Sequence, residues 1–153
     1  MLRYFYNFIY KIKYIFSFLN NFLDDNLKIA IDKAYDTYPE NNKPYAVPVN
    51  AAADGTDKDI ALKKDGIERA MKKMGKIYHR KIILATNTAE SSITFDADVG
   101  YVIDSGLIAE PIYNPEIDAY SNEALYVSDA AIKQRCGRTG RTSTGKCIHL
   151  YTS

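Results

Sequence analysis

The chain has 153 residues, enough for one domain with a core of its own. Its composition is ordinary for a globular protein, and a net charge of +1 excludes a chain whose overall charge would name its partner. Two cysteines exclude a scaffold built on disulfides, and an intracellular, reducing compartment is the expectation.

The first stretch is rich in Phe, Tyr and Ile. Phe5, Phe8, Ile9, Ile12, Ile15, Phe16, Leu19 and Leu23 fall on one face at helical spacing, with Asn7, Lys11, Lys13, Ser17 and Asn20 on the flanks and back. A membrane span is not expected. The ten Phe, Ile and Leu residues of 4–23 favour insertion by about 3–6 kcal/mol, and Lys11 and Lys13 oppose it by about 5–7 kcal/mol. No small-residue cleavage site follows, so a secretory signal is not expected either. A core or interface helix, an interfacial membrane helix and a non-native leader stay open as readings. Residues 1–38 are taken as an aromatic-rich helical leader, with a second helix over 24–38 that lines up Leu27, Ile31, Ala34 and Tyr35.

Residues 39–80 read as a linker and helix. A turn-rich break spans 39–44, and 45–49 is a short strand that Pro48 confines to a sheet edge. Residues 51–57 form a loop, and 59–74 a helix interrupted at Gly66 and stopped near Gly75. From Lys81 the pattern sharpens. The apolar runs 81–85 and 99–104 fit strands buried on both faces of a parallel sheet. Residues 107–127 read as a β-hairpin turning at 114–116, Ser128 and Asp129 as the cap of a helix through Ile132 and Gln134, and 146–151 as a last strand. Thr86 and Asn87 follow the carboxyl end of a strand, where open α/β sheets bind ligands.

The charge is unevenly spread. After Asp129 there is no acid, while Lys133, Arg135, Arg138, Arg141 and Lys146 are basic, a local anion-binding signature. On a continuing helix Gln134, Arg138 and Arg141 share one face, and Gly137 and Gly140 keep the surface between them low. Two converging guanidiniums suit a phosphate whose charge grows in a transition state, and a glutamine suits the orientation of water. A solvated basic helix touching RNA phosphates accounts for the spacing equally well. Residues 86–94, taken alone, read as a polar turn with a helix cap. Cys136 and Cys147 do not read as a disulfide, and His149 adds only a C-x-H pair, so no metal site is expected. Residues 140–147 read G-x-x-x-x-G-K-C, one residue away from a P-loop. They lack the final Ser or Thr that ligates magnesium, and β-like sequence follows where a helix is needed. The chain holds no other P-loop and no D-E-x-H or D-E-x-D tetrad.

Taken together, the two polar segments carry a resemblance. Q-R-x-G-R-x-G-R at 134–141 matches every fixed position of motif VI of the DEAH-box helicases, with Cys136 and Thr139 where that family more often has alanine. T-N-x-A-E-x-S-x-T at 86–94 is similar to the family's motif V. Y-V-I-D-S-G at 101–106 resembles a strand of the family, with Ser105 for the usual proline. I-Y-N-P at 112–115 resembles the start of its hairpin, which helps separate strands, and 145–152 its G-K-C-x-x-L-Y-T closing strand. The likeness covers 81–153; nothing upstream is recognised, motif IV included.

The resemblance implies a RecA-like α/β fold, a parallel sheet with flanking helices and a protruding β-hairpin, incomplete at both ends. Residues 81–153 would be the second RecA-like domain of a superfamily 2 ATP-dependent RNA helicase. It implies that Arg138 and Arg141 reach the γ-phosphate of ATP across a cleft and that Gln134 helps place the water. Asp96 would hold the ribose, with Ala97 where glycine is usual. Thr86 and Asn87 would contact the nucleic-acid backbone, and Ser92 and Thr94 would couple that contact to the ATP cleft. The ligands of Mg²⁺ would come from a first RecA-like domain, a partner absent from this sequence, so the isolated chain is expected to be inactive. The rival reading is a non-catalytic module that binds RNA or docks on a helicase; a membrane-tethered fragment is a third.

Overall fold

The computed structural model describes residues 14–18, 21–50, 53–86, 94, 99–140 and 144–151, with side chains from residue 26 onward. In chain order the elements are β1 (Tyr14–Phe18), α1 (Asn21–Lys33), β2 (Pro44–Val49), α2 (Gly55–Leu62), α3 (Gly66–Met74), β3 (Arg80–Ala85) and β4 (Tyr101–Asp104). They continue with β5 (Leu107–Asn114), β6 (Ala119–Tyr126), α4 (Asp129–Cys136) and β7 (Lys146–His149). Five strands pair in parallel in the order β2-β3-β1-β4-β7, and β5 and β6 form a separate antiparallel hairpin. This is the α/β architecture expected, a parallel sheet with flanking helices and a protruding hairpin.

The helical reading of the leader is corrected at its end. Residues 14–18 are a strand, β1, and it lies at the centre of the sheet between β3 and β4. The run Tyr-Ile-Phe-Ser-Phe is aromatic and β-branched, and ladder pairing on both edges overrides its helical spacing. Phe5, Phe8, Ile9, Ile12 and Leu19 of the proposed face lie outside the described residues. The sheet draws on strands from all three segments read along the sequence, so the leader and linker join the later residues in one sheet.

Alternation along the strands builds two core layers. Val47, Ile83 and Val102 face α2 and α3 with Tyr45, Ile60 and Ala70, while Ala46, Ile82 and Ile103 face α1 with Leu27 and Ile31. All six residues of β3 are buried, and β2 with its Pro48 occupies a sheet edge, as expected for a residue with no N–H to give.

The break at Gly66 has a specific cause. The Lys81 ammonium, buried at the start of β3, donates to the carbonyls of Ile60 (3.1 Å), Ala61 (2.9 Å) and Lys63 (2.9 Å). It caps the open carbonyl end of α2, where a cation also suits the helix dipole. A Cβ at Gly66 would collide with the Ile60 carbonyl oxygen and meet the Lys81 amine, so only glycine lets α3 begin there. Among the described residues no helix is long and apolar enough to cross a membrane.

Candidate functional site

Thr86 follows the last residue of β3, is buried, and donates its N–H to the Val49 carbonyl at 3.4 Å. Register aligns Val49, Ala85, Phe18, Asp104 and His149 as the carboxyl-end layer of the sheet. Thr86 therefore stands where the sequence put it. Thr94 is exposed; Asn87, Ser92 and Asp96 lie outside the described residues.

The arginine segment begins at the end of the hairpin. The Ser128 hydroxyl accepts the Ala131 N–H and starts α4, as expected of that residue. One turn on, Arg135 turns inward. Its Nη1 donates to Asp104 Oδ1 at 2.9 Å and to the Leu107 carbonyl at 3.1 Å, and both charged side chains are 0% exposed. Asp104 also accepts from the Gly106 N–H (3.0 Å) and from the Tyr151 hydroxyl (3.1 Å). A carboxylate with three donors, one of them a buried cation, is satisfied, and losing the cation would leave charge stranded. Burial pushes the Tyr151 hydroxyl pKa up, and the neighbouring Asp104 charge and hydrogen bond add to it. Asp104 and Tyr151 had no role in the sequence reading, and Arg135, counted there in the anion-binding signature, is instead buried against Asp104. The signal was an acid closing an apolar strand run, which must find a cation when the strand is buried.

The expectation that Gln134, Arg138 and Arg141 share one helical face is corrected. Helix α4 stops at Cys136 and the chain tightens: the Arg138 N–H donates to Arg135, and the Thr139 N–H and hydroxyl both donate to the Cys136 carbonyl. Gly140 is left-handed (φ 71°), which no continuing helix permits. Gln134 is exposed on the last turn, Arg138 is buried just beyond it, and Arg141 lies outside the described residues. The glycines serve a close turn rather than a flat helix face. A Cβ on Gly145 would stand 2.5 Å from Thr139 Cβ and 2.7 Å from the Gly140 nitrogen. Lys146 opens a strand, so the G-x-x-x-x-G-K-C sequence lacks the helix a P-loop requires.

This turn sits at the amino end of the sheet. Thr139 bridges Val99, just before β4, and the Lys146 N–H reaches the Gly100 carbonyl at 3.0 Å. Thr86 and the arginine turn thus occupy opposite ends of one sheet. Strands of this length hold them on the order of 15 Å apart. Residues 86–99 connect the two ends.

The reading of the cysteines is also corrected. Cys136 and Cys147 form a disulfide, with Cα atoms 5.3 Å apart across a sequence separation of 11. β7 brings the chain back beside the end of α4, a closeness that spacing does not disclose. His149 Nε2 lies 3.9 Å from Cys136 Sγ, and the three side chains cluster within 4.8 Å of one another. In the structure the two sulfurs are bonded to each other.

No protein-family model matches the chain. Over 73 residues, 48% of its length, it is 53% identical to the DExH-box ATP-dependent RNA helicase DExH2 of Arabidopsis thaliana. It is 52% identical over 73 residues to DExH6 of the same plant, and 51% identical over 74 residues to the ATP-dependent DNA/RNA helicase DHX36 of Bos taurus. The matched stretches span 5, 6 and 7% of those proteins, a small part of their length. In fold the chain resembles the crystal structure of the E. coli DExH-box NTPase HrpB, with a TM-score of 0.65 over 90% of this chain and 15% of that one, at 23% identity. Across 48% of its length this chain is similar to DExH-box helicases, and its parallel α/β fold is the one found in a DExH-box NTPase.

Proposed function

We propose that the chain supplies one wall of the ATP site and one stretch of the RNA path of an ATP-dependent RNA helicase, coupling hydrolysis to RNA binding and unwinding in the complete protein. In this reading Arg138 and Arg141 take the γ-phosphate and Gln134 orients the attacking water. Asp96 holds the ribose, Thr86 and Asn87 grip the RNA backbone, and Ser92 and Thr94 link the two.

The observation that carries the reading is the opposition of Thr86 and the arginine turn at the two ends of one parallel sheet, joined by residues 86–99. A motor that senses phosphate in one place and holds RNA in another needs that separation and that link. The donor set fits the phosphates of ATP and not its magnesium. Arg138 is buried, where a guanidinium acts on developing charge more strongly than in water, and no acid follows Asp129. When bound, ATP supplies the phosphoryl group, and the first RecA-like domain supplies the Mg²⁺ ligands.

The test is the full-length protein carrying Arg138→Ala. RNA-stimulated ATP hydrolysis should fall by about 10³–10⁵-fold, as for other arginines that complete such sites, with RNA binding retained. Undiminished hydrolysis would end the assignment. The isolated chain should turn over ATP negligibly; vigorous magnesium-dependent turnover that Arg141→Ala abolishes would show it to be more than one wall.

A second reading, a non-catalytic RNA-binding or helicase-docking module, is favoured by the exposure of Lys133, Lys146, Tyr120 and Tyr126. It predicts RNA affinity that falls steeply with salt and ignores nucleotide.

A further inference from the structure

We propose that Cys136 and Cys147 are a reversible thiol–disulfide pair that ties the end of α4 to β7, with small-molecule disulfides of the glutathione type as its reagent. The bridge closes a covalent ring that includes Arg138 among its described residues. Beside it Thr139 bridges Val99 and Gly145 packs against Thr139. Both cysteines are half-buried, so a small reagent can reach them. In the reducing compartment expected for this chain, such bridges are transient and sensing rather than structural.

His149 supplies the proton chemistry. The Tyr151 hydroxyl donates to Asp104 and lies 3.0 Å from His149 Nδ1, so it accepts from Nδ1–H. That leaves the lone pair on Nε2, the nitrogen facing Cys136 Sγ. Closure starts when Nε2 takes the Cys136 thiol proton. The thiolate attacks one sulfur of oxidised glutathione and expels a glutathione thiolate. The Cys147 thiolate then attacks the Cys136 sulfur of the mixed disulfide and expels the second. The protein gives up two electrons and two protons, and two glutathione thiols leave. Opening is the same sequence reversed.

The experiment equilibrates the full chain in mixtures of reduced and oxidised glutathione, quenches with acid, alkylates, and weighs the intact protein. Both thiols should disappear together, leaving no glutathione bound. Cys147→Ser should instead trap one glutathione on Cys136. His149→Phe should slow alkylation of Cys136 in the reduced chain by roughly tenfold, as expected when a thiolate loses its activating base. Amide exchange within 137–146 should be slower with the bridge closed. Thiols that stay alkylatable at every ratio would overturn the proposal, as would glutathione accumulating on both sulfurs of the unaltered chain. So would a reduced chain that retains one zinc ion through gel filtration and loses that ability in Cys136→Ser. None of these readouts uses nucleotide or RNA, so they stand or fall apart from the helicase reading.

Discussion

β3 and β6 are both strands, and they are treated in opposite ways. Every residue of β3 is buried, with helices over both faces of its sheet. In β6, Tyr120 is 72% exposed and Tyr126 86%. The hairpin is held along its own length by ladder pairing, a Tyr113–Asp118 hydrogen bond of 2.7 Å and the Tyr113 and Tyr120 rings 5.3 Å apart. A lone two-stranded hairpin is marginal in water, so this one relies on its root. There Val127 bonds back to Gly106, and the Tyr151 ring fills the space a Gly106 side chain would need. Large apolar residues in the sheet therefore hold the fold, and in the hairpin they stay exposed.

The largest effect expected on the sheet side is at the buried ion pair. Asp104→Ala strands Arg135 and should cost about 3–5 kcal/mol in urea unfolding. Replacing both partners with apolar residues of similar volume should recover much of that loss. A small cost for the single change would show that water reaches Arg135. Next comes the bridge between Cys136 and Cys147. Reducing it frees a short loop and should lower stability by about 3 kcal/mol, read as the difference between melts with and without reductant.

A third test uses pH. Burial raises the hydroxyls of Tyr45 and Tyr78 from an ordinary 10.0 to about 12, with nearby acids adding to Tyr45 and Tyr35 to Tyr78. The fold prefers the neutral phenols. Their contribution is complete below pH 10 and is lost as pH climbs toward 12, on the order of 2 kcal/mol for each ring. Tyrosinate absorbance and unfolding should rise together in that window. The smallest stability effect belongs to the hairpin itself. Tyr120→Ser and Tyr126→Ser should shift stability by no more than about 0.5 kcal/mol. Under the RNA reading, each should weaken single-stranded RNA binding by about 1–3 kcal/mol. A large stability loss would make the hairpin part of the core and dissolve the contrast.

Local chemistry made much of this legible. Pro48 announced an edge, Gly66 a break, Ser128 a cap, and the run at 81–85 a buried strand. Thr86 was found because a polar residue closing an apolar run marks a strand end. What escaped depended on distant chain. β1 was missed because a short aromatic run has no period of its own that outweighs pairing on both sides. The arginine helix was extended too far because the left-handed Gly140 and the close Gly145 follow from β7 returning beside α4. The same return brings the cysteines together. Arg135 was counted in the anion-binding signature because its burial depends on Asp104, on strand β4. Asn87, Ser92, Asp96 and Arg141 lie outside the described residues, so their roles rest on the resemblance.

The place of β1 also bears on how the chain comes to be folded at all. It is the first strand described and the middle of the sheet, yet its partners begin only at Arg80 and Tyr101. As the chain leaves the ribosome, one edge of this uncharged, aromatic strand waits for its native mate until β3 has emerged, and the other until β4 has. Such a segment is sticky toward its own kind, and pairing over so long a separation is slow. A product that stops short of Asp104 therefore leaves the β4 edge of the sheet's central strand without its full partner.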